Sequence, residues 1–217
     1  MPMATEARVL LLGQWLSPAY PVGAFAYSHG LEAAAAAGWV SDGAELKAWL
    51  EDVLLSGAGR SDALLIAASW QATDRAALEE IDTIARAFAP SKERLFETDQ
   101  QGRAFGTVTG AIWGRDLSGL SYPVALGAAA AHEDVHLNLT QQLYLQAFLS
   151  NLVAAGQRLL PVGQTEAQAI LRRLTGLIPA VATDTQSGDL AELSSTAFLS
   201  DIASMQHETQ HARIFRT

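Results

Sequence analysis

Residues His207 to His211 read "HETQH", which is the H-E-x-x-H pattern of zinc peptidases. On a helix, His207 and His211 would share one face and present two imidazoles to a metal, with Glu208 placed to activate a bound water. A zinc site of that kind also needs a third protein ligand. Only "ARIFRT" follows His211, and it holds no His, Asp or Glu. His132 and His136 are a second pair at the same spacing. They flank Glu133 and Asp134, and this segment reads as a helix start where carboxylates favour the helix dipole. Two imidazoles alone bind metal weakly, so these are read as surface histidines rather than a metal centre.

Other catalytic chemistry lacks its residues. The chain has no cysteine, which excludes disulfides, thiolate metal sites and a Cys nucleophile. No G-x-x-x-x-G-K-[ST] phosphate loop occurs, and no G-x-S-x-G elbow. The 217 residues carry a formal charge of −9, a poor match to nucleic acid or to anionic membrane. The opening "MPMATEARVLLLGQWLSP" has neither a basic n-region nor a small-residue cleavage site. Apolar runs such as "VALGAAAA" stop well short of a membrane span. The expectation is a cytoplasmic, non-enzymatic protein without cofactor.

The elements that must position any site read as helices. Apolar residues recur at helical spacing, and no Asn-Gly or Asp-Gly hairpin signal lies between alternating runs. Helices are expected over Ala7–Leu16 and Ser28–Ala37, after Ser41 or Asp42, and from Asp62 to Trp70. Further helices are expected after Asp74 and from Ser91 to about Trp113. Pro123 sits in a first turn. Asp134 to Leu160 is the longest stretch, and its many apolar positions mark it as central. Thr165 and Gln168 have capping-box spacing for a helix running toward Thr183, and a last helix covers Leu190–Ala203. The sum is an all-α, single-domain bundle of about nine or ten helices over residues 1–217, with 205–217 as a C-terminal tail.

Two segments stand out. "SPAYPVGAFAYSHGLE" gathers Pro18, Tyr20, Pro21, Gly23, Phe25, Tyr27, Gly30 and Glu32 into a loop that feeds a helix. It is either a rigid, aromatic-filled connection or a surface that carries Tyr20, Phe25 and Tyr27 outward to a partner. The tail carries net +1 and leaves −10 on the rest of the chain. With so little apolar content it is expected to lie off the core and to order against a partner.

These segments resemble the UreF urease accessory proteins. "SPAYPVGAFAYSHGLE" resembles that family's S-P-A-x-P-[VI]-G-[GA]-F-x-Y-S-x-G-L-E segment. "DIASMQHETQHARIFRT" resembles its closing D-x-x-x-x-x-H-E-x-Q-[YH]-x-R-[LI]-F-x-[ST] pattern. "YPVALGAAAA" and "LSNLVAAGQRLLPVGQT" match weaker features in the same order. Position 211 is commonly Tyr in the family, so His211 completes H-E-x-x-H by accident. Ala26 and His29 stand where Ser and Gln are frequent. The resemblance implies an all-helical, non-catalytic factor for nickel insertion into urease, whose mature site holds two nickel ions on a carbamylated lysine. It implies a homodimer that bridges the scaffold UreD (also called UreH) and the GTPase UreG, and through them reaches the urease apoprotein. His207, Glu208, Arg213, Phe215 and Arg216 of the tail are the expected scaffold contacts. Gln164 is the expected contact for UreG.

Overall fold

The structure is a computed structural model that describes residues 5–217; the first four residues of the opening segment read above lie outside the described residues. Eleven α-helices occur among the described residues, with two short 3-10 turns and no strand. The all-α expectation holds, with one or two helices more than anticipated.

Side-chain caps set several helix starts. Asp42 accepts from the Ala44 and Glu45 amides at the head of α3 (Gly43–Ser56), Asp74 caps α5 (Arg75–Ala87), and Ser91 caps α6 (Lys92–Trp113). The helix expected from Asp62 begins a turn earlier, as α4 (Ala58–Gln71). α1 spans Thr5–Trp15 and α2 spans Leu31–Ala36. The capping box at Thr165 does not form. Gly163 is the N-cap of α9 (Gln164–Thr175), so Thr165 already lies inside the first turn, and no side chain caps it. The stretch toward Thr183 breaks at Gly176–Leu177 and resumes as α10 (Ile178–Asp184), with Pro179 in its first turn. The expected Leu190–Ala203 helix resolves into a 3-10 turn at Leu190–Glu192 and α11 (Phe198–His207).

α7 (Tyr122–His132) lies at the centre. Every residue from Tyr122 to Ala130 is buried, and it packs on α4, on α6 and on α8 (Leu137–Leu159). Small side chains make this approach feasible. A Cβ on Gly127 would stand 2.5 Å from the Ile66 carbonyl oxygen. α8 is central as expected, packing on α1, α2, α3, α4, α7, α9 and α10. Tyr144, Leu145, Phe148, Leu149, Leu152 and Val153 are buried, while Leu139 and Leu143 are only half-buried.

The glycines between Gly102 and Gly119 lie partly within α6, where the returning segment 114–121 lies on the helix. A Cβ on Gly102 would come within 2.7 Å of the Ser121 carbonyl carbon and 2.8 Å of the Tyr122 nitrogen. Among the described residues no helix is long and apolar enough to cross a membrane.

Candidate functional site

The helix carrying H-E-x-x-H ends inside the motif. α11 stops at His207, Glu208 is its C-cap, and His211 lies exposed beyond it. The two histidines therefore do not share a helical face. His207 is fully buried, with Nδ1 2.6 Å from Glu93 Oε2 and Nε2 3.1 Å from Glu32 Oε2. Glu208 accepts from the Lys92 amide at 2.8 Å, across the start of α6. Both side chains are spent on fastening the chain, and no cluster of His, Cys, Asp and Glu suited to a metal occurs among the described residues. The zinc-peptidase alternative, already short of a third ligand in the sequence, gains no support here. His132 and His136 are exposed, as expected of surface histidines, but they flank a turn between two helices rather than a helix start. His132 closes α7, Glu133 and Asp134 make the turn (Asp134 at φ 53°), and His136 precedes α8 with its Nε2 3.3 Å from Arg8 Nη1.

The tail folds back on its own bundle. Glu32, 5% exposed on α2, accepts the amide of Ile214 at 2.6 Å and that of Phe215 at 2.8 Å. Glu93 takes Arg213 Nη1 at 2.6 Å. The Arg216 amide donates to the Ala26 carbonyl at 2.7 Å, and the Ser28 amide to the Thr217 carbonyl at 3.0 Å. Phe215 is 4% exposed, with the Arg158 guanidinium 4.3 Å above its ring centroid, and Thr217 is fully buried. Residues 205–207 belong to α11, and residues 208–217 form a strap across α2 and α6. The expectation that the tail lies off the core is corrected. The physical reason is polar: one buried carboxylate satisfies two strap amides, so a single apolar anchor at Phe215 suffices.

The aromatic loop builds the seat for this strap. Gly23 and Gly30 adopt left-handed backbone, at φ 73° and 78°. A Cβ on Gly30 would also stand 2.6 Å from the Ser204 nitrogen, so glycine lets α11 cross the head of α2. Pro18 and Pro21 hold the turn between Trp15 and Gly23. Tyr20 and Tyr27 point inward, contrary to the outward-facing reading. Tyr20 is buried against Phe105 and bonds Thr109 Oγ1 at 2.7 Å; Tyr27 is 4% exposed. Burial, with Glu97 beside it, raises the Tyr27 hydroxyl above its usual range against the opposing pull of Arg216. Of the three aromatics only Phe25, 49% exposed, faces outward. Gln164 is exposed at the start of α9.

Sequence reasoning missed a charged interior beneath the strap. Thr217 Oγ1 donates to Glu97 Oε2 at 3.0 Å, Arg94 pairs with the same carboxylate, and His29 Nε2 lies 2.8 Å from Glu97 Oε1. Burial works to raise Glu97, but Arg94 and His29 outweigh it and hold the carboxyl at about 2. Burial and the adjacent Arg94 lower His29, keeping it neutral at pH 7. Asp62, bonded by the Tyr144 hydroxyl at 2.6 Å, is pushed up by burial to about 6. Arg94 and Glu97 sit three apart in a polar helix, a spacing equally at home on a solvated face, so nothing in the linear pattern signals that Glu97 is buried.

Outside the body and strap lies an apolar stripe. Phe198, Leu199, Ile202 and Met205 are 43–65% exposed along one side of α11, and Ile214 of the strap is 59% exposed. Five large apolar groups exposed within one C-terminal region form a surface suited to a protein partner.

The UreF family model matches residues 40–175. Proteins named urease accessory protein UreF are similar over the full length. That of Ruegeria pomeroyi is 51% identical across 100% of both chains. That of Ruegeria strain TM1040 is 55% identical over 99% of this chain and 100% of its own. That of Roseobacter denitrificans is 48% identical over 99% and 96%. With its helical bundle and with relatives at about half identity along its whole length, the chain belongs to the UreF family of urease accessory proteins.

Proposed function

We propose that the chain is a non-catalytic, cytoplasmic assembly factor for the urease dinickel centre. It works as a homodimer that bridges a UreD-type (UreH-type) scaffold and the UreG-type GTPase, and it modulates GTP-dependent nickel delivery to the urease apoprotein. The observation that carries this reading is the exposed stripe of Phe198, Leu199, Ile202 and Met205 on α11, together with exposed Ile214, in a chain whose relatives are named as urease accessory proteins. The strap's role in this reading is to fix that stripe. Glu32 and Glu93 hold His207 at the end of α11, so the helix presents its apolar side at a set angle. The exposed groups of the segment, Arg213, Arg216 and Ile214, complete the rim. Phe215 and His207 act from beneath as anchors. Gln164, exposed at the head of α9, is the proposed contact for the GTPase, and Phe25, exposed beside the end of the strap, is proposed to contact the remaining partner surface.

The test is a double substitution, Ile202→Asp with Met205→Glu. Both side chains are exposed, so helicity and thermal midpoint should stay at wild-type values. Co-purification with the scaffold and urease activation in cells should both be lost. Gln164→Ala should weaken only the GTPase-containing complex. Retained scaffold binding by the double variant refutes the α11 docking face.

A further inference from the structure

Two half-buried opposite charges in this fold approach without pairing. Asp62 of α4 and Arg94 of α6 attract each other electrostatically, yet they form no ion pair. Both line two adjoining cavities, of about 60 and 70 Å³, together with Thr98 and Pro123. The first cavity reaches Ser17 and Phe25, and the second reaches Ser195 and Asp201. Arg94 Nη1 is engaged by His29 and Glu97. Its Nε and Nη2, the side-on edge of the guanidinium, donate to no protein atom among the described residues. Asp62 Oδ2 accepts from Tyr144, and Oδ1 likewise has no protein partner. A two-donor edge and an open carboxylate oxygen thus border the same small space.

We propose that this space binds a small neutral amide of the urea and acetamide class. Its carbonyl oxygen sits on the Nε/Nη2 edge of Arg94, and its N–H donates to Oδ1 of Asp62. Charge selects the class. At pH 7 the carboxylates Asp62 and Glu97 outnumber the single cation Arg94, His29 is neutral, and Asp201 adds a further carboxyl on the second cavity, so the space disfavours added negative charge. A carboxylate would add a second buried negative charge beside Asp62, and an ammonium would turn donors toward the donors of Arg94. A neutral amide supplies one acceptor and two or more donors, and leaves the charge unchanged. Size agrees: 60 Å³ of such volume takes about four waters, which is the scale of a urea-sized solute. The inference is separate from the α11 docking face, because Asp62, Arg94 and Thr98 lie on α4 and α6 and not on α11 or the strap.

The experiment is saturation-transfer NMR on the full chain with acetamide, urea, N,N-dimethylacetamide and acetate, each titrated alone. A ligand this small binds with Kd on the order of millimolar. Acetamide and urea should show saturable signals. N,N-dimethylacetamide, which has no N–H, and acetate should bind about tenfold more weakly or not at all, the loss expected for one charged hydrogen bond. Asp62→Asn should weaken acetamide binding about tenfold on the same ground. Thr98→Leu, which fills the space and leaves both charges in place, should abolish it. Circular dichroism melts establish that each variant is folded, and either variant alone decides the matter if the other fails to fold. Absence of saturable binding would mean that the two charges share only water, and the proposal falls. It falls equally if N,N-dimethylacetamide binds as well as acetamide, or if Thr98→Leu leaves binding intact.

Discussion

Replacing Glu32 by Gln tests the reasoning about the strap most directly. The carboxylate accepts the Ile214 amide on Oε1 and the Phe215 amide on Oε2, and His207 Nε2 lies 3.1 Å from Oε2. Gln keeps one oxygen and puts an NH2 where the other stood. One strap amide then faces a donor inside a site that is 5% exposed. The bond that remains loses its charge assistance. A charged hydrogen bond contributes about 1.5–3 kcal/mol against about 1 for a neutral one, and an unsatisfied buried amide costs about 1–3. Together these put the expected loss at about 2–4 kcal/mol. It should fall first on the strap. Hydrogen exchange at the Ile214 and Phe215 amides should accelerate on the order of 10²-fold, since each 1.4 kcal/mol is a factor of ten. Trypsin should cut sooner at Arg213 and Arg216. Guanidinium unfolding monitored by circular dichroism gives the global loss, and exchange mass spectrometry gives the local one. If the variant stays within about 0.5 kcal/mol of wild type, the range of an exposed position, with strap exchange unchanged, then Glu32 does not hold the strap and the argument fails.

Four further outcomes follow from the same structure. Asp62→Asn should stabilise the protein at pH 7 by up to about 3 kcal/mol, because the acid titrates at about 6 in the fold against 3.8 in the open chain. The folded form binds the extra proton between those values, so wild-type stability falls as pH rises through this window; the variant's advantage should grow from pH 4 to 6 and vanish below about 4, as urea melts at each pH would record. Leu149→Ala, at a site with no exposure, should cost about 2–5 kcal/mol in denaturant unfolding, and a loss under about 0.5 would mean that α8 is misplaced. Gly102→Ala should cost about 3 kcal/mol or prevent folding, since the new Cβ meets backbone of residues 121 and 122 that cannot swing aside; an unchanged thermal midpoint refutes the close approach. His211→Tyr, at an exposed position past the end of α11, should leave stability within about 0.5 kcal/mol and urease activation intact, whereas loss of both would revive a role for that imidazole.

Much of the fold was legible because its causes are local. Asp42, Asp74 and Ser91 cap helices by reaching amides two or three residues away, and a chain read in order contains both partners of such a bond. The helical spacing of Leu46, Leu50, Val53 and Leu54 likewise needs no knowledge of what they meet. Helix ends set by packing were less legible. α11 stops at His207 because that ring is pinned between Glu32 and Glu93, which lie 175 and 114 residues away in sequence. Without those carboxylates in view, "HETQH" reads as one helical face.

The sequence by itself determined the helical class, most of the caps and, through its first and last motifs, the family. Only the tertiary structure decided what those motifs do. Tyr20 and Tyr27 turn inward, Glu32 gathers the strap amides, and Arg94, Glu97 and Asp62 form a charged interior from residues that look solvent-facing in the linear chain. The reason is that burial of a polar group is fixed by its partner. A carboxylate becomes an interior anchor only where distant donors converge on it, and convergence is a property of the fold rather than of the spacing along the chain.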